Sequence, residues 1–385
     1  MLRRIPVRVA LLLLVAGCAG AAREGAVPVP TATAPSGVAP AAPTRVILFI
    51  GDGVGTAYWS AAKFAADELA IERFPVAGLV DTRSSSHRVT DSAAGATVYA
   101  TGVRTYNGAI GVGPDTLPRK TVLQLAVEKG MSTGLVATST ITHATPASFA
   151  AHVPHRNMEG EIARQMSAQG VDVLLGGGRK FFDGSGDDSS NLLPELRERY
   201  VYVESASELR SLRMDTVSAL LGLFAEGGMA KAIEGRAPEL DEMTRVALEI
   251  VGRNPNGFFL MVEASQPDWR GHANEPLEEV VAEMLEFDRA IRVALEYQER
   301  HPETLIVITA DHETGGLALQ QTREGGLAAG YTTTWHTGSM VPLFAKGPGA
   351  ERFGGVKDNY RIGELLMETV RQARTTPPVT AVGAR

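Results

Sequence analysis

Three uninterrupted apolar runs in this 385-residue chain each lead into side chains able to bind a metal. Val46 to Ile50 is followed by Gly51 and Asp52, Phe258 to Val262 by Glu263, and Leu305 to Ala310 by Asp311 and His312. A carboxylate placed after a buried strand often does no more than cap the next helix. Three such ends together, one with an imidazole, fit a cation site better. Asp268 and His272 stand four apart, which puts both on one side if that segment turns helically. His336 lies in Trp335-His336-Thr337-Gly338-Ser339. The single cysteine, Cys18, excludes an internal disulfide and a thiolate cluster, so a metal here must use imidazole, carboxylate and hydroxyl groups. His301, before Pro302, and His87, in a Ser-rich stretch, read as structural or surface residues. His152 and His155, near Arg156, carry no assigned role.

A nucleophile candidate completes the set. Thr90-Asp91-Ser92-Ala93-Ala94-Gly95-Ala96 opens a small-residue helix predicted to run through Thr101 and Gly102. Ser92 then sits at a helix N-terminus, where free N–H groups and the helix dipole favour a phosphate on its hydroxyl. By itself the segment would be read as an N-cap, with Asp91 or Ser92 as the capping residue. The neighbouring metal ligands tip the reading towards chemistry, because a serine hydroxyl needs activation to attack.

These residues need a scaffold that delivers strand ends to one edge. Further apolar runs at Leu135 to Thr138, Val171 to Leu175 and Val341 to Phe344 read as strands buried on both faces. Amphipathic stretches at Thr121 to Lys129, Glu159 to Gln169, Leu240 to Val251 and Leu277 to Arg300 alternate with them. The expected fold is an α/β three-layer sandwich with a central, largely parallel sheet flanked by helices. In such sheets ligands bind beyond the carboxyl ends of the strands. Residues 184–238, opened by Gly184-Ser185-Gly186-Asp187-Asp188, are less regular and read as an elaboration on the sheet edge. At 44% apolar and 21% charged the chain has ample material for one large core, and it shows no internal repeat. With 37 basic against 44 acidic residues, a net charge of −7, nothing suggests a nucleic acid as partner.

The N-terminus reads as a targeting segment. Arg3, Arg4 and Arg8 precede an apolar run, Val9 to Ala16, too short to span a bilayer. Val15-Ala16-Gly17-Cys18 resembles the bacterial lipobox, which implies a signal peptide over 1–17, cleavage before Cys18 and lipidation of its sulfur. The Ala/Pro-rich stretch to residue 43 then reads as a tether, 18–43, ahead of a catalytic domain at 44–372 and a flexible tail at 373–385. The expected location is exported, periplasmic or at the cell surface, held to a membrane through Cys18.

Gly51-Asp52-Gly53, Thr90 to Ala94, His143-Ala144-Thr145-Pro146, Glu263 through His272, Thr309 to His312 and His336-Thr337-Gly338 resemble the alkaline phosphatase family in order and spacing. The resemblance covers about residues 45–370. It implies metal-dependent hydrolysis of phosphate monoesters through a covalent phosphoserine. Carried over residue by residue, Asp268, His272 and His336 would hold one zinc, and Asp52, Asp311 and His312 a second. Asp52 would also bridge to a third metal, usually magnesium, held with Thr145 and Glu263. Ser92 is the implied nucleophile and metal neighbour, Arg156 the phosphate-binding arginine, and Asp91 the residue that positions Arg156. The family is often dimeric.

This chain departs from the best-known bacterial pattern at two positions, with His143 in place of an aspartate and Trp269 in place of a lysine. A neutral His143 offers the third site a nitrogen, which suits zinc or cobalt better than magnesium. Trp269 removes a positive charge near the phosphate. The alternatives are a phosphodiesterase or sulfatase of the same superfamily, or a lipoprotein that binds phosphate or metal without turnover. Ser92-Ala93-Ala94 lacks the Cys/Ser-x-Pro-x-Arg pattern of a sulfatase, and a mere binder needs no nucleophile.

Overall fold

The structure, a computed structural model, describes residues 43–375. The signal segment, Cys18, nearly all of the tether and most of the tail lie outside the described residues. The strands are β1 (Arg45–Gly51), β2 (Val76–Asp81), β3 (Ser132–Thr140), β4 (Val173–Gly177), β5 (Val201–Val203), β6 (Leu220–Leu223), β7 (Phe258–Ala264), β8 (Thr304–Thr309), β9 (Glu313–Thr314), β10 (Ala318–Gln321), β11 (Leu327–Gly330), β12 (His336–Thr337), β13 (Val341–Lys346) and β14 (Gly355–Asp358). Ten of them form one sheet in the order β14-β2-β13-β8-β1-β7-β3-β4-β6-β5. Within it only β13 runs antiparallel to its neighbours, β2 and β8.

The central strands are apolar on both faces because both faces are covered. Every residue of Val46–Ile50, Phe258–Val262 and Leu305–Ile308 is buried. The helices Leu240–Val251 and Leu277–Arg300 pack on each other, and Leu277–Arg300 also packs on Thr56–Ala65. A second group packs the helix Ser92–Thr101 against Ala144–Ala150 and Asn359–Gln372. The sheet lies between such layers, an α/β sandwich as expected.

Register fixes which residues meet at the sheet edge. Ile50 pairs with Glu263 on one side and Thr309 on the other, so β1, β7 and β8 end level. Asp52 and Asp311 therefore emerge at one edge, just past the carboxyl ends of parallel strands, beside Glu263 near the end of β7.

Several boundaries differ from expectation for local reasons. β4 starts at Val173 rather than Val171; ahead of it the Thr133 N–H donates to the Asp172 carboxylate at 2.8 Å and the Val171 carbonyl accepts from the Tyr200 hydroxyl at 2.6 Å. The edge strand β14 and its neighbour β2 lie outside the runs read as buried strands, since β2 is only half buried and β14 has no fully buried residue. There Gly78 is required by close approach: a Cβ would collide with the Gly355 carbonyl oxygen. The irregular segment 184–238 does sit at the opposite edge, but it also contributes β5 and β6 to the sheet. Its end is tied to the Leu277–Arg300 helix by Arg236, whose guanidinium donates to Glu286 at 2.8 Å and to both oxygens of Glu283 at 2.8 and 2.9 Å, all buried. The same carboxylates accept the N–H groups of Leu240 and Ala232, so the buried charges have their hydrogen bonds. Among the described residues no helix is long and apolar enough to cross a membrane.

Candidate functional site

At the edge formed by β1, β7 and β8 three groups of ligand atoms converge. Asp268, His272 and His336 form one, Asp52, Asp311 and His312 a second, and Asp52, His143 and Glu263 a third. Within each, one ligand atom per residue lies within 4.8 Å of the others. Asp268 and His272 share a face of the short helix Gln266–His272. His336 opens β12 and pairs with Thr314 of β9, which carries it back beside His312. The groupings expected for Asp52, Asp268, His272, Asp311, His312 and His336 all come together. Thr145 is fully buried, with its hydroxyl beside Glu263.

The electrostatics of these acids call for cations. Both carboxylate oxygens of Asp52, one each of Glu263 and Asp311, and Nδ1 of His143 are buried without a hydrogen-bond partner. Burial raises Asp268 and Asp311 and pushes Asp52 well above the usual carboxylate range, with the Asp311, Asp268 and Glu263 charges adding to the effect on Asp52. Glu263 is raised to about 8, again chiefly by burial, although Ser265 Oγ donates to it at 2.7 Å. Four buried acids facing one another are stable as anions only if positive charge stands among them. Oxygen and imidazole donors without thiolates suit zinc and magnesium.

The imidazoles are set up to offer lone pairs. Burial lowers His312 to about 3 and His336 to about 4, so both are neutral near pH 7. His272 Nδ1 lies 2.7 Å from the Thr334 carbonyl, and His336 Nδ1 lies 2.9 Å from the Thr90 carbonyl. A carbonyl only accepts, so each Nδ1 carries the proton and each Nε2 carries a lone pair. The two Nε2 atoms face each other at 3.0 Å, an arrangement that repels unless they share a cation.

Ser92 and Arg156 stand beside these groups. Ser92 is the first residue of its helix, buried, with Oγ 3.2 Å from His312 Nε2. His312 Nε2 is also 3.5 Å from Asp52 and 3.3 Å from Asp311. Asp91 is the N-cap: its side chain accepts from Ala94 N–H at 3.0 Å and from Gly108 N–H. The same carboxylate accepts from Arg156 Nη1 at 3.2 Å, and Arg156 Nη2 donates to His143 Nε2 at 2.9 Å. Burial, with the Arg156 charge, lowers His143 to about 3. Its ring meets Trp269 edge to face at 6.2 Å.

The four histidines without an assigned role stay apart from these groups. His152 is held by Gly111 and Gln124, His155 packs by Gly108, His87 bonds Ser86, and His301 stacks on Tyr297. Sequence reasoning passed over Thr314, whose hydroxyl donates to Asp268 and lies 3.3 Å from His312 Nδ1. A signal existed: two residues past His312 on an extended segment, its side chain shares that face. Ser265 and Ser139, which hold Glu263, gave no such signal.

The family profile for alkaline phosphatase matches residues 44–329. The chain is 32% identical over 417 residues to alkaline phosphatase 3 of Bacillus subtilis, covering 85% of this chain and 89% of that protein. It is 37% identical over 410 residues to streptomycin-6-phosphate phosphatase of Streptomyces griseus, covering 86% and 90%. The solved alkaline phosphatase of the Antarctic bacterium TAB5 is 35% identical with a TM-score of 0.79, covering 86% of this chain and 98% of that one. A TAB5 variant with aspartate in place of a histidine, 34% identical with a TM-score of 0.78 and covering 86% and 99%, holds magnesium in its M3 site.

The buried acids set a pH dependence for the chelated protein. Folded Glu263 keeps its proton to about pH 8 but loses it near the ordinary 4.5 when unfolded, so between those values the folded chain binds more protons and stability falls as pH rises. The neutral imidazoles of His143, His312 and His336 act in the opposite sense, but only below their ordinary 6.5. With EDTA, the thermal midpoint is therefore expected to fall from pH 6.5 to about 8. Zinc and magnesium should abolish that fall, and their uptake near pH 7 should release protons. A chelated midpoint that is flat or rising across this window would contradict the assignment.

Proposed function

The chain belongs to the alkaline phosphatase family and is a phosphatase with metal-binding groups, and on that premise we propose that Ser92 attacks the phosphorus of a phosphate monoester to form a phosphoserine. The supporting observation is Ser92 Oγ at a helix N-terminus, 3.2 Å from an imidazole that also faces Asp52 and Asp311. Asp268, His272 and His336 would hold one zinc, and Asp52, Asp311 and His312 the other. Asp52, Glu263 and Thr145 would hold the third ion, magnesium or else zinc or cobalt, with His143 beside it and able to ligate through Nδ1 only once its proton moves to Nε2. Such cations supply Lewis-acid charge that lowers the pKa of a hydroxyl or water and stabilises a departing alkoxide.

The chain's own residues do the rest. Asp91 and His143 each take one N–H of Arg156, which leaves three of its five donors for two nonbridging phosphate oxygens. The first step forms the Ser92 Oγ–P bond and breaks the P–O bond to the alcohol. In the second, water cleaves the phosphoserine, returning the hydroxyl and releasing phosphate. A free helix N-terminus behind Ser92 favours the added negative charge. EDTA is expected to abolish hydrolysis of p-nitrophenyl phosphate, with zinc plus magnesium restoring it. Ser92→Ala should cost several orders of magnitude, and the bis(p-nitrophenyl) diester and the sulfate ester should be poor substrates. A chelated enzyme at full rate would sink the site assignment, and a preferred diester would favour the phosphodiesterase reading.

His143 and Trp269 tune the third site and phosphate release in this reading. A neutral imidazole brings no charge to magnesium, and an indole brings none to phosphate. His143→Asp is therefore expected to tighten magnesium, and Trp269→Lys to lower the inhibition constant of phosphate. The TAB5 variant, with aspartate for a histidine and magnesium in its M3 site, supports the first expectation. Magnesium-activation and phosphate-inhibition titrations check both; unchanged constants in both variants would make the two positions neutral.

Residues 1–17 are assigned as a signal peptide and Cys18 as the lipidated residue, with 18–43 as tether to the domain at 44–372. The enzyme is then exported and membrane-anchored, since the several chains of a bacterial lipoprotein hold stably where one does not. Labelled fatty acid should enter the wild type and not Cys18→Ser, while hydrolysis stays the same in both. An unlabelled, soluble wild type would point to an ordinary signal peptide.

A further inference from the structure

Trp335 is the most exposed tryptophan surface in the described structure, 63% open to solvent, and it directly precedes His336. Its ring lies nearly parallel to His336, with centroids 5.1 Å apart at 18°, and edge-on to His272 at 5.3 Å. His336 stacks in turn on His312 at 3.6 Å and 20°, and His312 Nε2 is 3.2 Å from Ser92 Oγ. A continuous stack of rings thus runs from beside the nucleophile to the surface. The inner face of the indole covers the histidines and its outer face stands in water. Thr334, Gly338 and Ser339 around it are small and themselves exposed. The position is held from both sides: Trp335 N–H donates to Thr333 Oγ1 at 3.1 Å, and its carbonyl accepts from Gly315 N–H at 2.9 Å.

We propose that Trp335 is a stacking shelf for the planar end of the substrate's alcohol, which makes nucleoside monophosphates better substrates than phosphates of small aliphatic alcohols. The inference rests on the phosphatase reading of the Ser92 site and names a substrate class for it. Every nucleobase has a π-face that an exposed indole can hold, whatever its hydrogen-bonding edge. One full ring, His336, separates the indole from the imidazole beside Ser92. In this proposal the ribose carries the base outward from the phosphate to the indole. Binding energy gained that far from phosphorus is the same in ground and transition states, so it lowers KM and leaves kcat alone.

The test compares adenosine 5′-monophosphate with glycerol 2-phosphate on the zinc- and magnesium-loaded enzyme. Trp335→Ala is expected to raise KM for the nucleotide about tenfold, the scale of one base–aromatic stack, so that the ratio of kcat/KM between the substrates falls by the same factor. Trp335→Phe should recover part of it. In the Ser92→Ala background, adenosine 5′-monophosphate should quench tryptophan fluorescence, and Trp335→Phe should remove that quenching. If both substrates decline in parallel, with zinc lost on dialysis, the indole only shields the metal-ligand histidines and the proposal is overturned. If neither ester is hydrolysed by the wild type, the phosphatase reading fails. The fluorescence measurement still decides the shelf in that case, and no Trp335-dependent quenching overturns it.

Discussion

Four carboxylates buried at one sheet edge are the constraint on which the rest of this structure turns. Asp52, Glu263, Asp268 and Asp311 stand in a water-poor space where several of their oxygens meet no donor. Left ionised and alone, such groups would oppose folding; left protonated, they would be poor ligands. The fold concentrates them because three parallel strands end level, and it compensates only partly, with Gly53 and His312 N–H groups on Asp311 and hydroxyls on Glu263 and Asp268. The remaining electrostatic cost is what a cation removes, which couples the stability of this edge to its chemistry.

Rigidity at the edge comes from sharing atoms between groups. Asp52 belongs to two ligand groups, and the Thr314 hydroxyl connects Asp268 of another with His312. Backbone carbonyls of Thr90 and Thr334 fix the histidine tautomers, and Thr90 belongs to the turn that presents Asp91 and Ser92. The nucleophile candidate and the ligand set are thus positioned by the same short segment. A shift of that turn moves both, so the geometry is a collective property of strand ends and not of separate loops.

Much of this was legible in the sequence where a residue's type and its element agreed. The apolar runs before Asp52, Glu263 and Asp311 announced buried parallel strands, and Leu240–Val251 and Leu277–Arg300 have the bounds their periodicity suggested. The i, i+4 spacing of Asp268 and His272 required only one helical turn. What stayed hidden depends on partners distant in sequence. β2 and β14 are strands because of their neighbours, and the carbonyls that orient His272 and His336 have no residue signature at all. Trp335 was visible only as a neighbour of His336; its exposure is a property of the folded loop.

The pairing of His143 with Arg156 fixes the tautomer of that imidazole. An arginine can only donate, so at 2.9 Å the Nε2 of neutral His143 is the acceptor and its proton sits on Nδ1. Nδ1 is the buried nitrogen without a partner, and its residue groups with Asp52 and Glu263. With that tautomer His143 presents a proton to the two acids, which suits anions near it but not a direct bond to an ion. Direct ligation through Nδ1 needs the proton moved to Nε2, and Arg156 then loses an acceptor and rests on Asp91 alone. Occupancy of this third group and orientation of the arginine are therefore linked through a single imidazole. An aspartate there would accept from Arg156 and face the group as an anion at once, with no proton to relocate.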